Sequence, residues 1–239
     1  MKNYFFLTGS SRGLGRAIAD ELLKDDSNIV FGFSRLNSIV HANFYFVELD
    51  LSDTEAVAAY SFPDLSECKS IVLINNAGVI GEIKQVGKKE ASKIDEVYRI
   101  NTVAPSLLMN QFIKQYQNID VQKQVLNISS GAGRHSITSW AEYCASKSAI
   151  DMYSLVVQEE QQKQKFPFKI YSLAPGIIDT DMQTEIRLSK QEEFEMLDYF
   201  VDLKRKQLLS SSSDIARKLL GIIDNPQHFK EGLLDVRDF

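Results

Sequence analysis

With 239 residues, 44% of them hydrophobic, the chain is long enough for one large α/β domain with a sizeable core, and no linker divides it. A net charge of −5 and a pI near 5.3 exclude a basic nucleic-acid surface and a polybasic membrane patch, so a small-molecule partner is expected, with no nucleic acid and no membrane. Cys68 and Cys144 lack paired metal spacing, His41, His135 and His228 stand alone, and residues 4–7 are too short an apolar run for a signal peptide or a span; no metal and a reducing, cytoplasmic setting are expected.

In chain order, residues 4–7 read as a buried strand that runs into Thr8, Gly9, Ser10, Ser11, Arg12, Gly13, Leu14 and Gly15, and residues 16–24 place apolar side chains at helical spacing. In that strand-turn-helix context Gly9 permits a sharp exit from the strand. Gly13 and Gly15 allow phosphates and the sheet to approach the backbone, and the helix start offers free amides to an anion. A second strand over 28–33 ends at Ser34 and Arg35. No acid stands at 34, 35 or 36 to hold the ribose diol of NAD, whereas Arg35, with Arg12 beside it, suits the extra phosphate of NADP. A third strand, 44–49, delivers Asp50 and Leu51; Asp50 either touches adenine or caps the helix starting near Asp53. Residues 70–74 are apolar enough for a central strand and run into Asn75, Asn76, Ala77 and Gly78, whose small side chains leave room for a cofactor. The helix expected over 92–116 contains Asn101 and, in its interior, Pro105, which should remove a backbone bond and kink it.

A fifth strand ending at Val125, Leu126 and Ile128 places Ser129 and Ser130 in a glycine-containing loop. A helix from 141 to about 164 puts Tyr143 and Lys147 one turn apart on one face. Phenol and ammonium together form a proton shuttle: a positive charge favours the phenolate, and Ser130 can hydrogen-bond a substrate oxygen as it becomes an alkoxide. Tyr-x-x-x-Lys by itself is a short pattern, and both serines equally suit turn bonds at a strand end. A sixth strand, 168–173, leads into Ala174, Pro175, Gly176, Ile177, Ile178, Asp179 and Thr180. Residues 181–208 suit a helical lid with Met182, Met196, Leu197, Tyr199 and Phe200 on its inner face; serines 210–213 and Asp214 cap a last helix, and 232–237 read as a seventh strand. The fold expected for residues 1–239 is therefore α/β: a single doubly wound Rossmann-type domain with a seven-stranded parallel sheet and a helical substrate lid.

Over almost its full length the chain resembles the short-chain dehydrogenase/reductase family. The resemblance rests on Thr8-Gly-x-x-x-Gly-x-Gly15, Asn75-Asn-Ala-Gly78, Asn101, Ser130, Tyr143-x-x-x-Lys147 and Pro175-Gly-x-x-x-Thr180, all in the family's order. It implies Tyr143 as acid/base, Ser130 as oxyanion stabiliser, Lys147 as the residue that binds nicotinamide ribose and lowers the tyrosine pKa, and Asn101 as holder of a water relay. It implies an NADPH/NADP+ site lined by Gly9, Ser11, Arg12, Gly13, Leu14, Gly15, Arg35, Asp50, Leu51, Asn76, Ala77, Gly78, Tyr143, Lys147, Pro175, Gly176, Ile178 and Thr180. A homodimer or homotetramer through the helices carrying Asn101 and Tyr143 is implied as well. The stretch 173–183 and the ending 232–239 look like the sepiapterin reductase and benzil reductase branch, which reduces vicinal dicarbonyls. On that likeness Asp235 either anchors a pterin or is a charged strand end, and Trp140, Met182 and Tyr199 line a flat apolar pocket suited to aromatic 1,2-diketones. The rivals are a 3-oxoacyl thioester or sugar reductase of the same fold and a non-catalytic NADP-binding sensor.

Overall fold

The computed structural model describes residues 1–65, 67–229 and 232–239. Seven strands, β1 (Lys2–Thr8), β2 (Asn28–Ser34), β3 (Phe44–Glu48), β4 (Cys68–Asn75), β5 (Gln122–Ile128), β6 (Lys169–Ala174) and β7 (Leu233–Asp235), form one sheet in the order β3-β2-β1-β4-β5-β6-β7. Every neighbouring pair is parallel. The central strands are apolar on both faces because helices cover both. Phe5 and Leu7 of β1, with Val72 and Ile74 of β4, pack toward α1 (Gly13–Leu22) and α8 (Ser212–Asp224). Phe6, Ile71 and Leu73 pack on the other face toward α4 (Ala104–Tyr116) and α5 (Ala141–Gln161). The period of two along a strand thus divides one apolar run between two cores.

In a parallel sheet all strands leave at the same edge, so the loops after β1, β4, β5 and β6 gather there. The strand order reverses between β1 and β4, which opens a crevice at their carboxyl ends. At the start of α2 (Thr54–Ala59) the cap is Asp53, which accepts from the Ala56 amide, and not Asp50; the serine cap expected for the last helix forms, Ser211 accepting from the Asp214 amide at the start of α8.

Two elements differ from expectation. The helix predicted over 92–116 is divided into α3 (Ala91–Tyr98), a π-helical turn over Arg99–Val103, and α4, with Pro105 in the first turn of α4. Proline lacks an N–H, so the Asn101 carbonyl cannot accept the usual i+4 bond; the chain widens to an i+5 bond from the Ala104 amide to the Arg99 carbonyl. The last strand is also shorter than 232–237. It ends at Asp235, whose carboxylate accepts from the Arg237 amide and turns the chain into the 3-10 turn Val236–Asp238.

Candidate active site

At the crevice, Gly9 has φ +70° and Gly13 φ +55°, and a Cβ on Gly15 would lie 2.1 Å from the Gly9 carbonyl oxygen. Only glycine permits that closure. Thr8, at the end of β1, ties the next loop to it: its Oγ1 accepts from the Asn76 amide at 2.9 Å and the Ala77 amide at 3.1 Å, while Asn76 Nδ2 donates to the Thr8 carbonyl at 2.9 Å. Thr8 carried no role in the sequence reading, although its place as the last strand residue before the glycine turn is the signal for it. Arg12 caps α1 without a side-chain hydrogen bond, so the first amides of that helix have no side-chain oxygen upon them. An anion of the pyrophosphate kind fits this cradle.

The rim is charged and exposed. Arg12 pairs with Asp181 at 3.2 Å, and Arg35 stands 4.0 Å from Asp50. Asp50 does not cap the helix, since Asp53 does. Its Oδ1 accepts from the amide and hydroxyl of Ser52, and the amide bond is the main reason its carboxyl lies below the ordinary range. Ser11 offers its carbonyl to the Ser38 hydroxyl, which Arg16 also reaches. Leu14, Leu51 and Ile178 are buried beneath this rim, Ala77 packs against the core, Pro175 is buried and Gly176 turns with φ +75°. Thr180 approaches Gly13, where an added Cβ would sit 3.6 Å from its Cγ2.

The catalytic candidates meet where β5 ends and α5 begins. Ser130 closes the turn Gly131–Gly133 by accepting from the Ala132 amide at 3.2 Å, so the turn role is real; its hydroxyl also acts on the Tyr143 phenol, favouring the ionised form. Tyr143 and Lys147 share the buried face of α5. Burial holds the phenol above its ordinary pKa, with the Ser130 hydroxyl acting in the opposite direction. The expected lowering by Lys147 is not found: its Nζ donates to the Ile128 carbonyl at 2.8 Å and lies 5.8 Å from the phenol ring centre. Burial pushes the Lys147 ammonium down to about 8, against the attraction of Asp151. A Cβ on Gly78 would lie 3.3 Å from Lys147 Nζ and 3.4 Å from Asn101 Oδ1, so the bare glycine keeps that corner open. The Asn101 side chain is fully committed: Oδ1 accepts from the Val79 amide, and Nδ2 donates to the Val79 carbonyl and to Ser146 Oγ. Its main-chain carbonyl loses the usual i+4 donor to Pro105.

Over this corner lie α6 (Asp181–Arg187) and α7 (Leu197–Arg205). Trp140 stacks on Phe194 at 5.5 Å and 17°, meets Phe200 at 5.4 Å, and turns 85° to the Tyr143 ring at 5.7 Å. Met182, Met196 and Leu197 pack against this cluster, as predicted for an inner face. Tyr199 does not: it is 49% exposed and lines a surface cleft with Val201, Arg205 and Leu208, because α7 turns Phe200 inward instead. Phe194 and Ile186, both buried in the cluster, were missed; they sit among charged neighbours where no apolar period stands out. Asp235 is held by its neighbour: Arg237 engages both its oxygens, at 2.8 and 2.6 Å.

Residues 3–191 match the family model for short chain dehydrogenases. The chain is 34% identical to a benzil reductase of Bacillus cereus that forms (S)-benzoin, covering 96% of both chains. It is 28% identical to a sepiapterin reductase of Xenopus laevis over 97% of this chain and 94% of that one. Among solved structures, 4-hydroxyisoleucine dehydrogenase complexed with NADH superposes with a TM-score of 0.79 at 22% identity, covering 98% of this chain and 96% of that chain, which shows the shared fold.

Proposed function

The chain belongs to the short-chain dehydrogenase family and is an oxidoreductase acting on carbonyls, and from that premise we propose that it is an NADPH-dependent reductase of aromatic 1,2-diketones, benzil being the model substrate, acting at one of the two carbonyls. The observation that carries this is the dry corner itself: a protonated phenol, a serine hydroxyl and an ammonium converge beneath a wall of Trp140, Phe194 and Phe200. An aromatic wall favours flat apolar substrates, and a neighbouring carbonyl makes the attacked carbon more electrophilic. The relatives named above are consistent with that class. A pterin is the less favoured diketone, because the carboxylate that would anchor it is already held by Arg237.

Gly9, Gly13 and the uncapped start of α1 would hold the pyrophosphate of the dinucleotide, Asn76 to Gly78 and Pro175 to Thr180 its nicotinamide half, and Arg12 and Arg35 the additional phosphate of NADPH. The cofactor supplies a hydride to the carbonyl carbon. Ser130 hydrogen-bonds the substrate oxygen and keeps it within reach of Tyr143. Burial keeps the Tyr143 proton in place at neutral pH, so the group stands in the form a reduction needs, and it donates that proton to the developing alkoxide. Lys147, still mostly protonated below pH 8, stabilises the phenolate left behind. The main-chain carbonyl of Asn101 holds a water through which Tyr143 is reprotonated. A cytoplasmic enzyme assembled as a dimer or tetramer through α5 and the π turn and α4 before it fits the same proposal: Val103 of the π turn and Met152 and Val156 of α5 stand exposed there. Among the described residues no helix is long and apolar enough to cross a membrane.

A steady-state panel of diketones, simple ketones, 3-oxoacyl thioesters, sugars and pterins with NADPH and NADH tests the proposal. Benzil-type diketones with NADPH are expected to give the highest kcat/KM. Thioesters or sugars ranking above every diketone would overturn the substrate class, and binding of NADPH without turnover of any of them would overturn the enzyme assignment in favour of a sensor. Arg35→Asp should weaken NADPH more than NADH; equal losses would remove Arg35 from the phosphate site.

A further inference from the structure

One buried ion pair has no part in the chemistry above. Lys89, in the loop before α3, and Glu142, in the first turn of α5, meet at 2.5 Å with side chains 1% and 4% exposed. We propose that these two are positioning residues: they hold the first turn of α5, and with it Tyr143 and Trp140, in register with Ser130 and the lid.

The need for such a device follows from where Tyr143 lies. It sits in the opening turn of a helix, where amides lack intrahelical partners and the backbone opens most easily. The residue at the cap is Trp140, which supplies no side-chain hydrogen bond. Lys89 supplies the missing restraint from outside the helix. Its Nζ donates at 3.0 Å to the carbonyl of Ser139, just before the cap, and at 2.5 Å to Glu142 Oε2, just after it, so one ammonium grips both sides of Trp140. An acid in the first turn also interacts favourably with the helix dipole.

The same grip extends to the lid. Ser139 adopts φ +70°, a left-handed conformation rare for a residue with a side chain, and its Oγ donates at 2.5 Å to the carbonyl of Glu193, the residue before Phe194. Lys89, Ser139, Glu193 and Phe194 therefore link the start of α5 to the ring that stacks on Trp140. On the other side, Gly81 turns with φ +75° so closely against the pair that a Cβ would fall 3.4 Å from Glu142 Oε1 and 2.5 Å from Val97 Cγ2.

The pair is a poor stabiliser in its own right. Glu142 Oε1 is buried with no hydrogen-bond partner, and an incompletely satisfied buried ion pair adds less to stability than apolar side chains of the same volume. What it provides is geometry: two short, directional contacts at one turn.

The experiment separates geometry from stability. Lys89→Met and Glu142→Leu, each leaving one buried charge unpaired, should lower the melting midpoint, and the double substitution should recover it. Turnover is read by steady-state reduction of any carbonyl compound the wild-type enzyme reduces, so the outcome does not depend on which substrate class is correct. The expected result is a double variant with near wild-type melting and cofactor KM but kcat down at least about tenfold, the scale of misplacing a proton donor. Recovery of kcat to within about twofold along with the melting midpoint would show a merely structural pair and overturn the proposal. If the double variant does not fold, Glu142→Gln decides, since it preserves shape and one hydrogen bond. Faster amide hydrogen exchange over residues 141–145 with lower kcat supports the positioning role, and unchanged exchange with unchanged kcat overturns it.

Discussion

Two regions of the molecule each bury a lysine, and they put the ammonium to different uses. Lys123, near the start of β5, and Lys147, in α5, are 2% and 4% exposed, and burial pushes both ammonium groups down to about 8. Lys123 is fully occupied: it donates to the carbonyls of Tyr116 and Gln117 at the end of α4, where a cation suits the helix dipole, and lies 4.7 Å from the Phe168 ring centre. Lys147 has a single hydrogen-bond partner among the described residues, the Ile128 carbonyl, with a bare glycine facing its Nζ. Burial and a shifted pKa therefore do not mark a functional lysine; donors left over after the protein's own carbonyls are counted do.

The largest effect should come from Lys147→Met, which is expected to lower kcat at least about a hundredfold, the scale of losing a group that supports acid catalysis. The folded protein should become more stable at pH 7, by about 1 to 3 kcal/mol, because the ammonium is buried against its preference. Urea unfolding and turnover measured on one preparation check both; loss of stability together with activity would place Lys147 with Lys123 as a structural group. Lys123→Met should leave kcat within about threefold of wild type, because its ammonium is spent on the carbonyls of Tyr116 and Gln117 and not on the crevice.

The pH dependence of stability sharpens the comparison further. A lysine with a folded pKa near 8 and an unfolded value near 10.5 binds more protons unfolded than folded between those values. Its unfavourable contribution is complete below about pH 8 and is relieved as pH rises, at up to about 1.4 kcal/mol per unit for each lysine. Unfolding free energies between about pH 8 and 9, before the unfolded tyrosines titrate appreciably, should rise in the wild type and rise less steeply in either single variant. A flat profile would show that neither lysine is destabilised by burial. The smallest effect is expected at Tyr199, where an exposed ring on α7 makes Tyr199→Ala change kcat/KM by less than about twofold; Trp140→Ala, in the same assay, should reduce the preference for diketones over aliphatic ketones by about 1 to 3 kcal/mol.

What the sequence by itself determined was what repeats or has fixed local geometry. The central strands β1 and β4 were readable because buried parallel strands are largely apolar runs. The glycine turn after β1 was readable because φ near +70° and contact with a neighbouring backbone admit only glycine, and Tyr143 with Lys147 because four residues are one helical turn. Tertiary structure alone decided the rest. Tyr199 and Phe200 are adjacent and both aromatic, and only the docking of α7 determined which faces inward. Asp235 was an equal choice between ligand and strand end until the short β7 brought Arg237 onto it. Pro105 announced a lost bond, but not that the chain would answer with a π turn, nor that the Asn101 side chain beside it would be fastened to Val79 and Ser146. Lys89 and Glu142 lie 53 positions apart, and nothing local in either neighbourhood shows that folding brings them together. Local conformational preferences are encoded within a few residues, whereas the partner of a side chain is settled by which distant segments share the same small, dry volume.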